Sequence, residues 1–98
     1  MVRHIILWQL KDELSADEKR TVCENMKREL EALVGTVEGL CSLTVHIEGL
    51  PTSNADAMLE SEFPDADALA GYAVHPAHVA AANTFVRPFV KTRLCLDF

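Results

Sequence analysis

The sequence predicts an α+β domain, a four-stranded antiparallel sheet with its helices gathered on one face. Three observations point there. Four segments alternate apolar and polar residues, or carry apolar residues on both sides, with the period of two that a strand imposes. A long amphipathic stretch separates the first strand from the second, and two short helical segments separate the third from the fourth. Over 98 residues nothing in the composition marks a linker or a second core, so residues 1–98 form a single domain.

The first segment, Val2 to Leu10, sets His4, Ile6, Trp8 and Leu10 against Ile5, Leu7 and Gln9. It is apolar on both sides, as a central strand is when helices cover one face and something else covers the other. Ser15-Ala16-Asp17-Glu18 has the form of a capping box, in which the Ser15 hydroxyl accepts from the Glu18 amide and the Glu18 carboxylate reaches back. A helix is expected from Ala16 to Val34, with Val22, Cys23, Met26, Leu30, Leu33 and Val34 on one stripe and Gly35 as its left-handed stop.

Cys41, Leu43, Val45 and Ile47 then alternate with Ser42, Thr44, His46 and Glu48 as the second strand. A loop containing Gly49, Pro51, Ser53 and Asn54 leads to the third, Ala57 to Phe63, so the two form a hairpin. Asp65 caps a short helix through Tyr72, and a second opens at His75-Pro76 with proline at its favoured first position. Leu94, Leu96 and Phe98 alternate with Arg93, Cys95 and Asp97 in a last strand that runs to the final residue. This order is the ferredoxin-like split βαβ arrangement. One helical layer leaves the second sheet face bare. A chain of this size buries only roughly 60–70 % of its unfolded surface, so a homodimer formed through that sheet face is expected.

Composition narrows the partners. The net charge of −6 is spread along the chain without a basic cluster, which argues against nucleic acid and against an anionic membrane surface. The longest apolar runs are far too short to span a bilayer. Gln9, Lys11, Asp12 and Glu13 interrupt the start before a signal peptide could form, so the cytoplasm is the expected location. Cys23, Cys41 and Cys95 are widely spaced and read as buried thiols, with only Cys95, near Arg93 and Asp97, in a setting that hints at reactivity.

Tyr72-Ala73-Val74-His75-Pro76-Ala77-His78 resembles the Tyr-x-x-His-Pro-x-His signature of the stress-responsive α/β-barrel family. Arg3-His4-Ile5-Ile6-Leu7-Trp8 is similar to that family's first strand, and Leu96-Asp97-Phe98 to its closing hydrophobic-Asp-aromatic strand. The resemblance spans nearly the whole chain and implies a dimeric α+β barrel, two sheets packed back to back. It also brings a candidate reaction. In a plant polyketide cyclase of the family, a tyrosine and the second histidine of the motif are the proposed catalytic pair, at positions matching Tyr72 and His78. The implied chemistry is an intramolecular aldol condensation, with His78 as base and Tyr72 as donor to the oxyanion. The cyclase lines its pocket with aromatic residues and a strand histidine where this chain has Cys23, Met26 and Ala57, and many family members carry the motif with no assigned reaction.

The ligand-binding candidates are therefore His4, Tyr72, His75 and His78. Each has a structural alternative: His75 caps the helix after it, His78 bonds a nearby carbonyl or Tyr72, and His4 is buried and paired. His78 in a first helical turn would be held neutral by the helix dipole. His46, Glu48, Glu60 and Glu62 read as a solvated strand face with a cross-strand contact, and Trp8 as core or dimer interface. No phosphate loop, hydrolase triad or metal motif is present, so no cofactor and no metal is expected. Three readings stand: a homodimeric module binding a small apolar or phenolic molecule, a cofactor-independent enzyme acting on a carbonyl or phenolic substrate, and a purely structural stress protein. A pocket would be shaped by how Cys23, Met26, Leu59 and Leu94 pack on the sheet.

Overall fold

The computed structural model describes residues 1–98. Its elements are β1 (Val2–Leu10), α1 (Ala16–Glu31), β2 (Ser42–His46), β3 (Ala57–Phe63), α2 (Ala66–Val74), α3 (Pro76–Phe85), a 3-10 turn (Arg87–Phe89) and β4 (Val90–Asp97). The strands pair antiparallel in the order β2-β3-β1-β4, which is the ferredoxin-like arrangement. No helix is long and apolar enough to cross a membrane.

Local chemistry sets most boundaries. The Ser15 hydroxyl accepts from the Glu18 amide at 3.1 Å and the Ser15 amide donates to the Glu18 carboxylate at 2.9 Å, so α1 starts at its capping box. Its end differs from expectation. The helix stops at Glu31 rather than Val34, because the Leu33 and Val34 amides tighten onto the carbonyls three residues back, at 3.1 and 3.3 Å. The turn buries Leu33 and exposes Val34, and Gly35 takes the left-handed conformation (φ +89°) within it. Asp65 caps α2 through the Ala68 amide at 2.8 Å. Pro76 restricts the residue before it to extended backbone, and His75 at φ −64°, ψ 133° is thereby shaped as the cap of α3.

The core lies between the helices and the inner sheet face. Val22, Cys23, Met26 and Leu30 of α1 meet Ile6, Trp8, Leu10, Leu43, Val45, Leu59 and Phe63 of the strands. On the edge strand β2, the Val45 amide donates to Glu31 (3.0 Å) and its carbonyl accepts from Lys27 (2.9 Å), so side chains of α1 satisfy an otherwise unpaired edge.

Register decides which residues of β4 face the helices. Asp97, Cys95 and Arg93 oppose His4, Ile6 and Trp8 and share their inner face, whereas Leu96 and Leu94 oppose Ile5 and Leu7 on the outer one. Two expectations change as a result. Leu94 does not pack under the helices, and it is 62 % exposed on the far side. Cys95 is exposed rather than buried, because β4 is an edge strand whose inner positions the helical layer does not fully cover. Cys41 is also exposed, lying just outside β2 on the opposite edge, and only Cys23 is a buried thiol. The chain end is built into the sheet: Phe98 and Arg3 exchange backbone hydrogen bonds of 2.9 and 2.7 Å.

The outer face divides in two. Over β1 and β4 it carries Ile5, Leu7, Leu94 and Leu96; over β3 and β2 it is polar apart from Met58 beside Leu7, with Arg3–Glu62 at 3.5 Å and the expected cross-strand contact His46–Glu60 at 3.1 Å.

Candidate functional site

The site exists because α3 stands off from the sheet. α2 packs on β1 and β3, while α3 leans on α1 and the 3-10 turn and scarcely touches a strand. Ala82, the alanine of α3 that lines the space beneath it, lacks the volume to fill it. A cavity of about 340 Å³ results, within the range of small-molecule sites. Ile6, Trp8, Leu59 and Val90 form its floor on the strands; Leu30, Tyr72, His78, Ala82 and Val86 form the helical wall; His4, Arg87 and Arg93 complete the lining. Of the four residues expected to shape a pocket, Leu59 alone lines it.

His4, Tyr72 and His78, the three candidates expected around one cavity, share its wall. Tyr72 is the centre of the group. Its ring lies 4.3 Å from the His78 ring and 5.2 Å from Phe63 between centroids, and 6.3 Å from His4, edge to face. Burial pushes the Tyr72 phenol up to about 12, against a smaller opposing pull from the Arg93 guanidinium. The phenol therefore keeps its proton at neutral pH, so it can donate a hydrogen bond to a bound molecule and does not act as a base toward it.

His78 sits in the first turn of α3, and its Nδ1 lies 3.1 Å from the Ala73 carbonyl. A carbonyl oxygen only accepts, so Nδ1 carries the proton and Nε2 keeps its lone pair. Burial holds His78 below the ordinary histidine value, with the Arg87, His4 and Arg93 charges acting in the same direction and the Ala73 hydrogen bond opposing. The neutral state expected from the helix dipole is thus reached chiefly by desolvation. His78 adjoining Tyr72 is a neutral base beside a protonated donor.

His4 is buried and paired as expected, and the partner is Asp97, across the β1–β4 ladder. Burial pushes the Asp97 carboxyl up, but the hydrogen bond and charge of His4, with help from Cys95 and Arg93, outweigh it and hold the group below its ordinary value. An ionised Asp97 accepts, so His4 Nδ1 donates. Cys95 completes the cluster, its Sγ 3.5 Å from Asp97 and 3.8 Å from His4. Nitrogen, sulfur and carboxylate oxygen all lie within 4.8 Å of one another. Burial and Asp97 push the Cys95 thiol up, so the neighbourhood that hinted at a reactive thiolate suppresses one.

His75 is not part of the cavity wall. Its Nδ1 accepts from the Ala77 amide at 3.1 Å, which is the capping role. Three residues of the site were not singled out from the sequence: Arg87, Arg93 and Asp97. The readable signal was the polar side of the last strand, Arg93-x-Cys95-x-Asp97, opposite a fully apolar one. Of that polar side Arg93 lines the cavity, while Leu94 and Leu96 on the apolar side face out.

Fold and site together define a ferredoxin-like α+β protein with a partly apolar cavity walled by a tyrosine and two histidines. The chain belongs to the stress responsive A/B barrel domain family, whose model matches residues 2–98. A dimeric protein of unknown function and ferredoxin-like fold from Bacteroides fragilis is 32 % identical; 99 % of this chain and 93 % of that one align, with a TM-score of 0.93. A family member from Mesorhizobium loti is 24 % identical over 99 % and 93 % of the two chains, with a TM-score of 0.73. A hydroxynitrile lyase from Passiflora edulis shares the fold at 17 % identity, covering 99 % and 90 % with a TM-score of 0.78. No curated protein matches the chain in sequence.

Proposed function

We propose that this protein is a homodimeric small-molecule-binding module, with the cavity under α3 as its binding site in each subunit. The observation that carries the reading is the convergence of His4, Tyr72 and His78, far apart in the chain, on a single cavity with an apolar floor. A purely structural protein gains nothing from leaving such a space, which costs packing energy. Dimerisation through the outer face is supported by the exposed Leu94 and Leu96 beside Ile5 and Leu7, and by the dimeric Bacteroides relative. Three free cysteines fit a reducing compartment such as the cytoplasm. The test is to record amide and indole NMR spectra against a library of small apolar and phenolic fragments. Shifts clustering on Trp8, Tyr72 and His78 are expected; binders that perturb only the outer face, or none at all, would overturn the reading.

The neutral His78 beside a protonated Tyr72 favours a second reading, a cofactor-independent enzyme acting next to a carbonyl. His78 Nε2 would take the proton from the carbon adjacent to the carbonyl. The electron pair of that bond moves into the enolate, and the Tyr72 hydroxyl donates to its oxygen. In an aldol condensation the enolate carbon then attacks a second carbonyl of the same molecule, whose π electron pair moves onto its oxygen; that oxygen takes back the proton from His78 and later leaves as water. Solvent deuterium appearing in a bound ketone, and lost in His78→Ala with binding retained, is the expected signature. Binding without exchange would leave the binding module alone.

A further inference from the structure

The chain carries fifteen acidic residues and a net charge of −6, yet no carboxylate lines the cavity. The charged side chains in its wall are Arg87 and Arg93. Every other arginine has a carboxylate within 4.0 Å: Arg3 has Glu62, Arg20 has Asp17 and Arg28 has Glu29. Arg87 bonds only the neutral amide of Asn83, and Arg93 has no carboxylate partner. Asp97, which feels the Arg93 charge, is hydrogen-bonded by His4. In an acidic protein, the two arginines with no carboxylate within 4.0 Å are thus the two that line the cavity.

We propose that the cavity takes a small organic carboxylate, its anionic group held by Arg93 and Arg87 and its apolar body lying against Trp8, Leu59 and Val86. The inference rests on the small-molecule-binding reading and names the ligand class. A guanidinium offers a carboxylate two parallel N–H donors, a geometry no neutral isostere uses equally well. The mouth is wet and the floor is apolar, so the molecule enters tail first, which suits a monoanion with one charged end. The charges also reach the polar groups: Arg93 acts on Tyr72, and both arginines act on His78. A carboxylate bound between them would partly cancel that field and make His78 easier to protonate, so ligand and proton uptake are coupled.

Trp8 is the single tryptophan, buried and on the cavity floor, so its emission reports occupancy directly. The experiment titrates the dimer, at low ionic strength, with octanoate and octanamide and with 3-phenylpropanoate and 3-phenylpropanamide. The acids are expected to bind about tenfold or more tightly than their amides, the scale of a charge-assisted hydrogen bond. Arg93→Gln should erase that preference, and Arg87→Gln should reduce it. Arg3→Gln, on the outer face, should leave it intact. Amides binding as well as acids in the unaltered protein would overturn the carboxylate assignment and leave the binding module standing. A preference that survives in both Arg87→Gln and Arg93→Gln would overturn it too. No response of Trp8 to any of the four would count against the binding reading itself.

Discussion

At the scale of single residues, Tyr72, His78 and Asp97 show how burial and charge divide the roles. Tyr72 and His78 are both desolvated, and desolvation favours the neutral form of each: a phenol that keeps its proton and an imidazole that lacks one. Asp97 is the opposite case, a carboxyl whose partner His4 overrides burial. These directions fix the acid side of the stability profile. His78 has a folded value below its unfolded one, so its contribution is complete above about pH 6.5 and is lost as pH falls through the lowered value. Asp97 acts the same way lower down, complete above about pH 3.9 and lost as pH falls further. Urea midpoints measured against pH should therefore be level near neutrality and fall in two acid stages. His78→Phe should remove the upper stage. Asp97→Asn should shrink the lower one without abolishing it, since Glu31 is also held below its ordinary value.

At the scale of elements, the break between α2 and α3 is what makes the site. One continuous helix would lie along the sheet; the His75-Pro76 step redirects the chain, so α3 rests on α1 and leaves space beneath. His75 holds that step through its bond to the Ala77 amide. Losing the cap in His75→Ala should cost about 1 kcal/mol, a drop of about 4–8 °C in Tm for a domain of this size. His75→Asn, which keeps a capping acceptor, should restore most of it, and Trp8-reported ligand affinity should change little in either. A large loss of affinity with unchanged Tm would instead place His75 in contact with ligand. Helix starts and the first three strands were readable from the sequence because Ser15, Asp65 and Pro76 act locally. The end of α1 was not, because the chain tightens after Glu31 into bonds three residues back, which no side chain of the stripe announces.

At the scale of the whole molecule, the outer sheet face demands a partner. Each leucine left in water there forgoes about 1.5–3 kcal/mol that burial would supply, and Leu94 and Leu96 are both more than 60 % exposed in the single chain. Sedimentation at micromolar concentration should give twice the chain mass of 10.8 kDa. Leu94→Asp combined with Leu96→Asp should return the monomer, because two desolvated charges would face an apolar surface. A stable monomer in the unaltered protein would remove the homodimer from the proposed function.

By itself the sequence determined the element order, the ferredoxin-like topology and the caps, since periodicity and capping are written in neighbouring residues, while the family resemblance pointed to Tyr72 and His78 as site residues. Tertiary structure alone decided the rest. Which side of β4 faces the helices depends on its register with β1, and one residue of slip would have exchanged Arg93, Cys95 and Asp97 for Leu94 and Leu96. Whether a cavity exists depends on how far α3 stands from the sheet, which is set by its packing on α1. The pairing of Asp97 with His4 joins residues from the two ends of the chain, and no local pattern announces a contact made only when β1 and β4 lie side by side.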